Sequence, residues 1–227
     1  STLHLYCNTL QAIAVGYLIA GIVMLNIGVR GQVAFTLLML IGYWLLVKFV
    51  PFGGHAAGTL EPKANLALAV DEFVLGRFRD GTTYTWILSS MTFAATVMLG
   101  VLSGHILRAK WSPWQKLLAL VAIGIACLAG GWAWSEWGGL PIIKHIWTSS
   151  MTLWAAGWSF LLLALFYLLI DVAGWRRWAF FFIVIGMNAI TIYVAHHLVI
   201  PFHDISERLV GGAASHTRDA PVAARSA

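Results

Sequence analysis

Charge is what this sequence has least of. Asp, Glu, Lys and Arg make up 10% of its 227 residues, against roughly 25% in a soluble globular domain. With 60% hydrophobic residues and a mean hydropathy of +0.82, that scarcity excludes a soluble fold. Cysteine is nearly absent: Cys7 and Cys127 both lie in apolar runs, and two isolated thiols define neither a redox compartment nor a metal site. The formal charge of +5 is thinly spread, so no nucleic-acid partner is expected. Internal repeats are lacking, and so are an initiator Met, a cleavable signal pattern and a hydrophilic N-terminal domain. The chain enters an apolar helix almost at once, which leads us to expect an upstream part.

What is there is a series of apolar runs long enough to cross a bilayer core of ~30 Å as helices. Six spans are predicted: Thr9–Ile27, Val33–Val50, Thr83–Leu107, Trp114–Trp134, Ser149–Ile170 and Trp178–Ile200. Pro51, Pro62, Pro113, Pro141, Pro201 and Pro221 all fall at the edges of these runs or outside them, where helices should stop. The expected fold is therefore all-α, a polytopic membrane helical bundle. Residues 1–203 should form the transmembrane domain, with an external loop at 51–82, and 204–227 a polar, disordered tail.

The last span carries the most polar chemistry. Asn188, Thr191 and His196 share one helical face, with His197 beside them. Polar side chains at membrane depth are costly and face a bundle interior, a cavity or a partner helix. Elsewhere, Ala12, Gly16 and Ala20 form a small-residue ladder in the first span, and Gly100 and Gly104 a G-x-x-x-G in the third; both predict close helix packing. Thr92, Thr96, Gly100 and Ser103 make a small polar stripe. His105 reads as an interfacial histidine, having no second ligand at metal spacing. Thr148, Ser149, Ser150 and Thr152 can cap a helix or bond across to a neighbour. Within the long loop, Asn65–Leu75 has helical spacing, with Asp71 and Glu72 at its polar edge, and predicts a short helix on the membrane surface.

Loop charge sets the expected orientation. Arg30, Arg108, Lys110, Lys116, Arg176 and Arg177 lie in the loops after spans one, three and five, against the single acid Asp171. Those short basic loops should be cytoplasmic. Both termini and loop 51–82 should lie on the other side, periplasmic in a bacterial inner membrane.

Gly186–His197 (GMNAITIYVAHH) resembles a late helix of the membrane acyltransferase family that includes heparan-α-glucosaminide N-acetyltransferase. Other stretches resemble that family in the same order: Thr9–Ala20 (TLQAIAVGYLIA), Gly58–Gly76, Thr85–Leu107, Ile143–Gly157 (IKHIWTSSMTLWAAG) and Leu168–Trp175 (LLIDVAGW). The resemblance implies acetyl transfer from cytoplasmic acetyl-CoA to an amine-bearing sugar across the membrane. It implies Asn188 and His196 along a central pathway, Lys144 and Asp71 near the external mouth and Asp171 near the cytoplasmic one. Two departures stand out. Ala12 replaces the family's arginine, and the half bearing the family's catalytic histidine has no counterpart here.

Two readings follow from the residues and the resemblance. One is the C-terminal portion of an acyltransferase, completed by an N-terminal half. The other is a non-catalytic scaffold or accessory subunit held among other membrane subunits and lipid. Haem or pigment ligation by His105, His196 or His197 is a weaker third. His196 and His197 point ~100° apart on a helix, so one site cannot use both.

Overall fold

The computed structural model describes residues 9–79 and 81–188. Two compact units share the chain, Ser1–Ala173 and Gly174–Ala227. The first holds five helices long and apolar enough to cross a membrane. They are α1 (Thr9–Asn26), α2 (Val29–Phe49), α4 (Ser90–Arg108), α5 (Pro113–Trp137) and α6 (Ser149–Tyr167), the last running into a π turn at Leu168–Val172. Between α2 and α4 lie a two-residue antiparallel ladder, β1 (Leu60–Glu61) with β2 (Ala64–Asn65), and the short α3 (Leu66–Leu75). The protein is an integral membrane helical bundle.

Local chemistry explains where these helices start. Ser112 and Gln115 form a reciprocal capping box before Pro113, the first residue of α5. The Asn65 side chain accepts from the Leu68 N–H at 2.8 Å to open α3, and Thr148 accepts from Met151 to open α6. One boundary differs from expectation. The third span begins at Ser90 rather than Thr83, because backbone donors of Thr85, Trp86 and Ile87 are taken by acceptors outside the helix.

Within the first unit α4 is central, packing against α1, α2, α5 and α6. Lipid tails are as apolar as leucine, so close van der Waals fit and interhelical hydrogen bonds must hold such helices together. α5 and α6 come closest. A Cβ on Gly131 would stand 2.9 Å from Ser150 O and Trp154 N, and one on Gly157 would stand 2.6 Å from Leu128 Cγ. Leu99, Leu117, Leu120, Ala156, Phe160 and Ala164 fill the space among α4, α5 and α6. The outward faces carry large apolar side chains such as Tyr17, Leu18, Leu25, Leu38 and Trp158, as a lipid-facing surface requires.

The described part of the second unit is α7 (Ala179–Met187) and the turn before it. Trp178 packs edge-on against Phe182 with ring centroids 5.7 Å apart. The rest of the predicted sixth span lies outside the described residues.

Candidate functional site

The chemistry of the first unit gathers at one end, where the start of α1, the segment 83–89 and the turn 143–148 meet. The base of this region is a buried hydrogen-bond hub on Ile146 O. Tyr43 OH of α2 donates to it at 2.6 Å and Ser89 Oγ at 3.0 Å. Ser89 Oγ also lies 2.6 Å from Thr85 Oγ1. Ser149 Oγ reaches across to Leu40 O at 2.7 Å, so the serine and threonine run both caps α6 and ties it to α2. With these contacts made, the turn leading into α6 is fixed against two other helices.

Asp71 fixes the other wall. Its side chain is fully buried; Oδ2 accepts the Trp86 N–H at 2.7 Å and Oδ1 the Ile87 N–H at 2.8 Å. A carboxylate bridging two backbone donors is a charge-assisted clamp. It joins α3 to the approach of α4.

Trp147 closes the turn in a left-handed conformation, φ 46°, the positive-φ residue other than glycine among those described. A bulky side chain there is strained by about 1–3 kcal/mol. The turn over-determines it: Trp147 N–H donates to Lys144 O and Thr148 N–H to Ile143 O. The indole is held as well, with Nε1–H donating to Thr96 Oγ1 at 3.3 Å and the ring edge-on to Phe93 at 5.8 Å.

These pieces enclose a cavity of about 420 Å³, within the range of small-ligand sites. Gly16 explains its floor. A Cβ there would lie 3.3 Å from Phe93 O and 3.2 Å from Val97 Cγ2, so α1 and α4 touch at Gly16, and the cavity occupies the space beyond that contact. Ala12, Ile13, Phe93 and Val97 give its apolar lining, and the exposed Lys144, His145, Tyr84 and Thr9 lie toward the rim. His145 stacks on Tyr84 with centroids 4.5 Å apart, and its Nδ1 lies 3.2 Å from Thr83 Oγ1. Lys144 is exposed. Among the described residues the lining includes no carboxylate, so they offer a cation, an imidazole and aromatic faces over an apolar floor.

The residues singled out from the sequence are thus dispersed. Lys144 stands on the rim. Asp71 supports the wall but does not line the cavity. Asp171 is exposed in the π turn at the opposite end of α6, at least about 28 Å away along a 19-residue helix. Asn188 ends α7 in the second unit, its Nδ2–H donating to Val184 O at 2.8 Å on its own helix. Thr191, His196 and His197 lie outside the described residues. Ala12, Gly16 and Ala20 are buried, and Ala20 packs with Val23 and Met98.

Among the described residues Gly100 and Gly104 have no close neighbour: a Cβ on either would meet nothing within 4 Å. Gly100 instead borders a second cavity of about 240 Å³ between α4 and α6, with Thr96, Ser103 and Ser159. At the far end of α4, His105 Nε2 is 2.9 Å from Gln32 Oε1. Gln32 spends its own amide hydrogens on Ile27 O and Met24 O, so the shared proton sits on His105 Nε2. Sequence reading missed Tyr43, Ser89, Trp147, His145 and Gln32. His145 had a visible signal, its place beside Lys144 in the IKHIWTSS stretch. The others are joined to their partners only by the fold.

Comparison with known proteins returns one name twice. Over 123 residues, 49% of this chain, the sequence is 28% identical to human heparan-alpha-glucosaminide N-acetyltransferase. Over 124 residues, 50% of this chain, it is 27% identical to the mouse protein of that name. The chain covers about a fifth of their length, 18% in each case. No protein-family profile matches the chain, and no solved structure does. The chain therefore bears a partial, distant similarity to an N-acetyltransferase, carried on a multi-pass helical membrane bundle.

Proposed function

We propose that this chain is the C-terminal portion of a membrane acyltransferase-like protein, and that the cavity at the start of α1 and α4 is its acceptor side. The observation that carries this is the construction of the rim. A strained Trp147, a stacked Tyr84–His145 pair and an exposed Lys144 stand around an open cavity of about 420 Å³. Strain of this kind is stored where a site must be held in shape. Similarity to an N-acetyltransferase supports the reaction class, and in this reading the acceptor is an amine on a sugar and the co-substrate acetyl-CoA.

In this reading the short loops bearing Arg30, Arg108, Lys110, Lys116, Arg176 and Arg177 face the cytoplasm of a bacterial inner membrane. The cavity, loop 51–82 and both termini face the periplasm. Arg30, Arg108 and Lys110 are exposed side chains and would supply positive charge to a phosphate-bearing co-substrate there. The described residues hold no base aimed at an acceptor amine apart from His145. The acetyl-carrying group is assigned to a further part of the protein or to a partner subunit. A non-catalytic accessory role is the second reading, favoured by Gly100 and Gly104, which leave a small-residue face open where another membrane helix fits.

The test uses the complete gene product in membranes, with labelled acetyl-CoA and glucosamine. Transfer is expected, and Trp147→Ala should raise KM for the acceptor more than it lowers kcat. Absence of transfer, or unchanged kinetics in Trp147→Ala, overturns the transferase reading. In that event, co-purification of other membrane subunits in mild detergent supports the accessory one.

A further inference from the structure

The cavity floor and its rim differ in chemistry, and the difference specifies an occupant. Its apolar lining is made by Ala12, Ile13, Phe93 and Val97. They belong to two helices that cross the bilayer, and Ile13 is 47% exposed on the outward face of α1. The cavity is thus continuous with a lipid-facing surface rather than walled off from it. Its rim carries Lys144 and His145, both exposed, and among the described residues its lining holds no acidic side chain.

Depth agrees with this division. Tyr84 and Trp147 stand at the rim, and aromatic side chains of this kind sit at the headgroup level of a bilayer. A cation on a flexible stem beside them is placed where a lipid phosphate lies. A soluble anion would use the rim and leave the apolar floor bare.

We propose that this cavity binds an anionic amphiphile. Its phosphate would rest against Lys144 and His145, and the first part of its chain would lie between α1 and α4, ending where Gly16 meets Phe93. Access would be lateral, past Ile13, so the ligand reaches the site from the bilayer. The site does not depend on transferase activity and is testable without it.

The probes are phosphatidylglycerol, phosphatidylcholine and inorganic phosphate, added to the complete protein purified in mild detergent. Native mass spectrometry reads retention, and thermal unfolding reads stabilisation. Phosphatidylglycerol should be retained and should raise the unfolding temperature. Phosphatidylcholine should be retained less, and millimolar inorganic phosphate should leave the unfolding temperature unmoved. Lys144→Gln should weaken phosphatidylglycerol retention about fivefold, the effect of one cation beside an anionic headgroup. Thr9→Trp, at an exposed position of the rim, should block retention while leaving the unliganded protein as stable as before. Equal retention of the two lipids overturns the proposal, as does Lys144→Gln binding like wild type. A stabilisation by inorganic phosphate equal to that by phosphatidylglycerol also overturns it, because the apolar floor would then contribute nothing.

Discussion

Replacing Asp71 by Asn isolates the clamp on which the cavity wall depends. Its two carboxylate oxygens accept the Trp86 and Ile87 N–H groups at 2.7 and 2.8 Å, and the side chain is fully buried. Asn keeps the shape but offers one oxygen and one NH2 group, so one of the two backbone donors would face another donor. A hydrogen bond to a charged group contributes about 1.5–3 kcal/mol, and an orphaned buried donor costs about 1–3 kcal/mol. Asp71→Asn should therefore destabilise by about 2–4 kcal/mol and Asp71→Ala, which orphans both donors, by about 3–6 kcal/mol. Chemical unfolding in detergent micelles measures the difference, and backbone hydrogen exchange at Trp86 and Ile87 localises it. Both amides should lose protection in the variants while those of α5 and α6 keep theirs. Because Trp86 lines the cavity, acceptor binding should weaken with stability. An Asn variant within 0.5 kcal/mol of wild type, or unchanged exchange at these two amides, would refute the clamp; the threshold is about the size of an ordinary surface substitution.

Three further outcomes follow from the packing and its hydrogen bonds. Gly131→Ala places a methyl 2.9 Å from backbone atoms of Ser150 and Trp154 and should cost about 1–3 kcal/mol, read by unfolding. Gly100→Ala meets nothing within 4 Å and should stabilise the isolated bundle by about 0.5–1 kcal/mol. A loss in the complete assembly would reveal a helix seated on that face. Tyr43→Phe removes the 2.6 Å bond to Ile146 O and should cost about 0.6–1.7 kcal/mol. Since Ser89 Oγ donates to the same oxygen, a double-mutant cycle with Ser89→Ala should show a coupling of at least about 0.5 kcal/mol; additive effects would mean the two donors act independently.

How legible the fold was depended on the range of the interaction. Helix starts such as Pro113 and Thr148 are written within four residues, and sequence placed a helix edge at Pro113 and a possible cap at Thr148. Hydropathy also found the spans, since bilayer thickness fixes their length. It placed Thr83–Ser89 in the third span because those residues are apolar enough. It could not see that Asp71 and His145 O take their backbone donors from outside the helix. Asp71 itself read as a polar helix edge, because its partners lie 15 and 16 residues away and no helical period connects them. The small-residue patterns show the same limit. Gly16 and Gly100 look alike in sequence, yet one touches Phe93 and the other meets no neighbour among the described residues. A spacing rule records which side of a helix is small and says nothing about whether another helix lies opposite.

Geometry also constrains how an acyl transfer through this bundle would work. The cavity lies at the first residues of α4, and Arg108 ends that helix. Nineteen residues of α-helix separate them, about 28 Å at 1.5 Å per residue. Reacting atoms must approach to ~3–3.5 Å, so an acceptor amine at the rim cannot meet a thioester held among the basic loops. Either the donor's arm enters the bundle, or a group within it carries the acetyl part of the way. The groove between α4 and α6 runs in the right direction, bordered by Thr96, Gly100, Ser103 and Ser159. Thr96 borders both cavities, and its hydroxyl also accepts from the indole of strained Trp147. Filling that groove at Ser159, which is exposed, with Ser159→Phe separates the two routes. Loss of transfer with acceptor binding intact places the acetyl path between α4 and α6. Full activity places it on the other faces of α4, and then the groove serves only to seat a neighbouring helix.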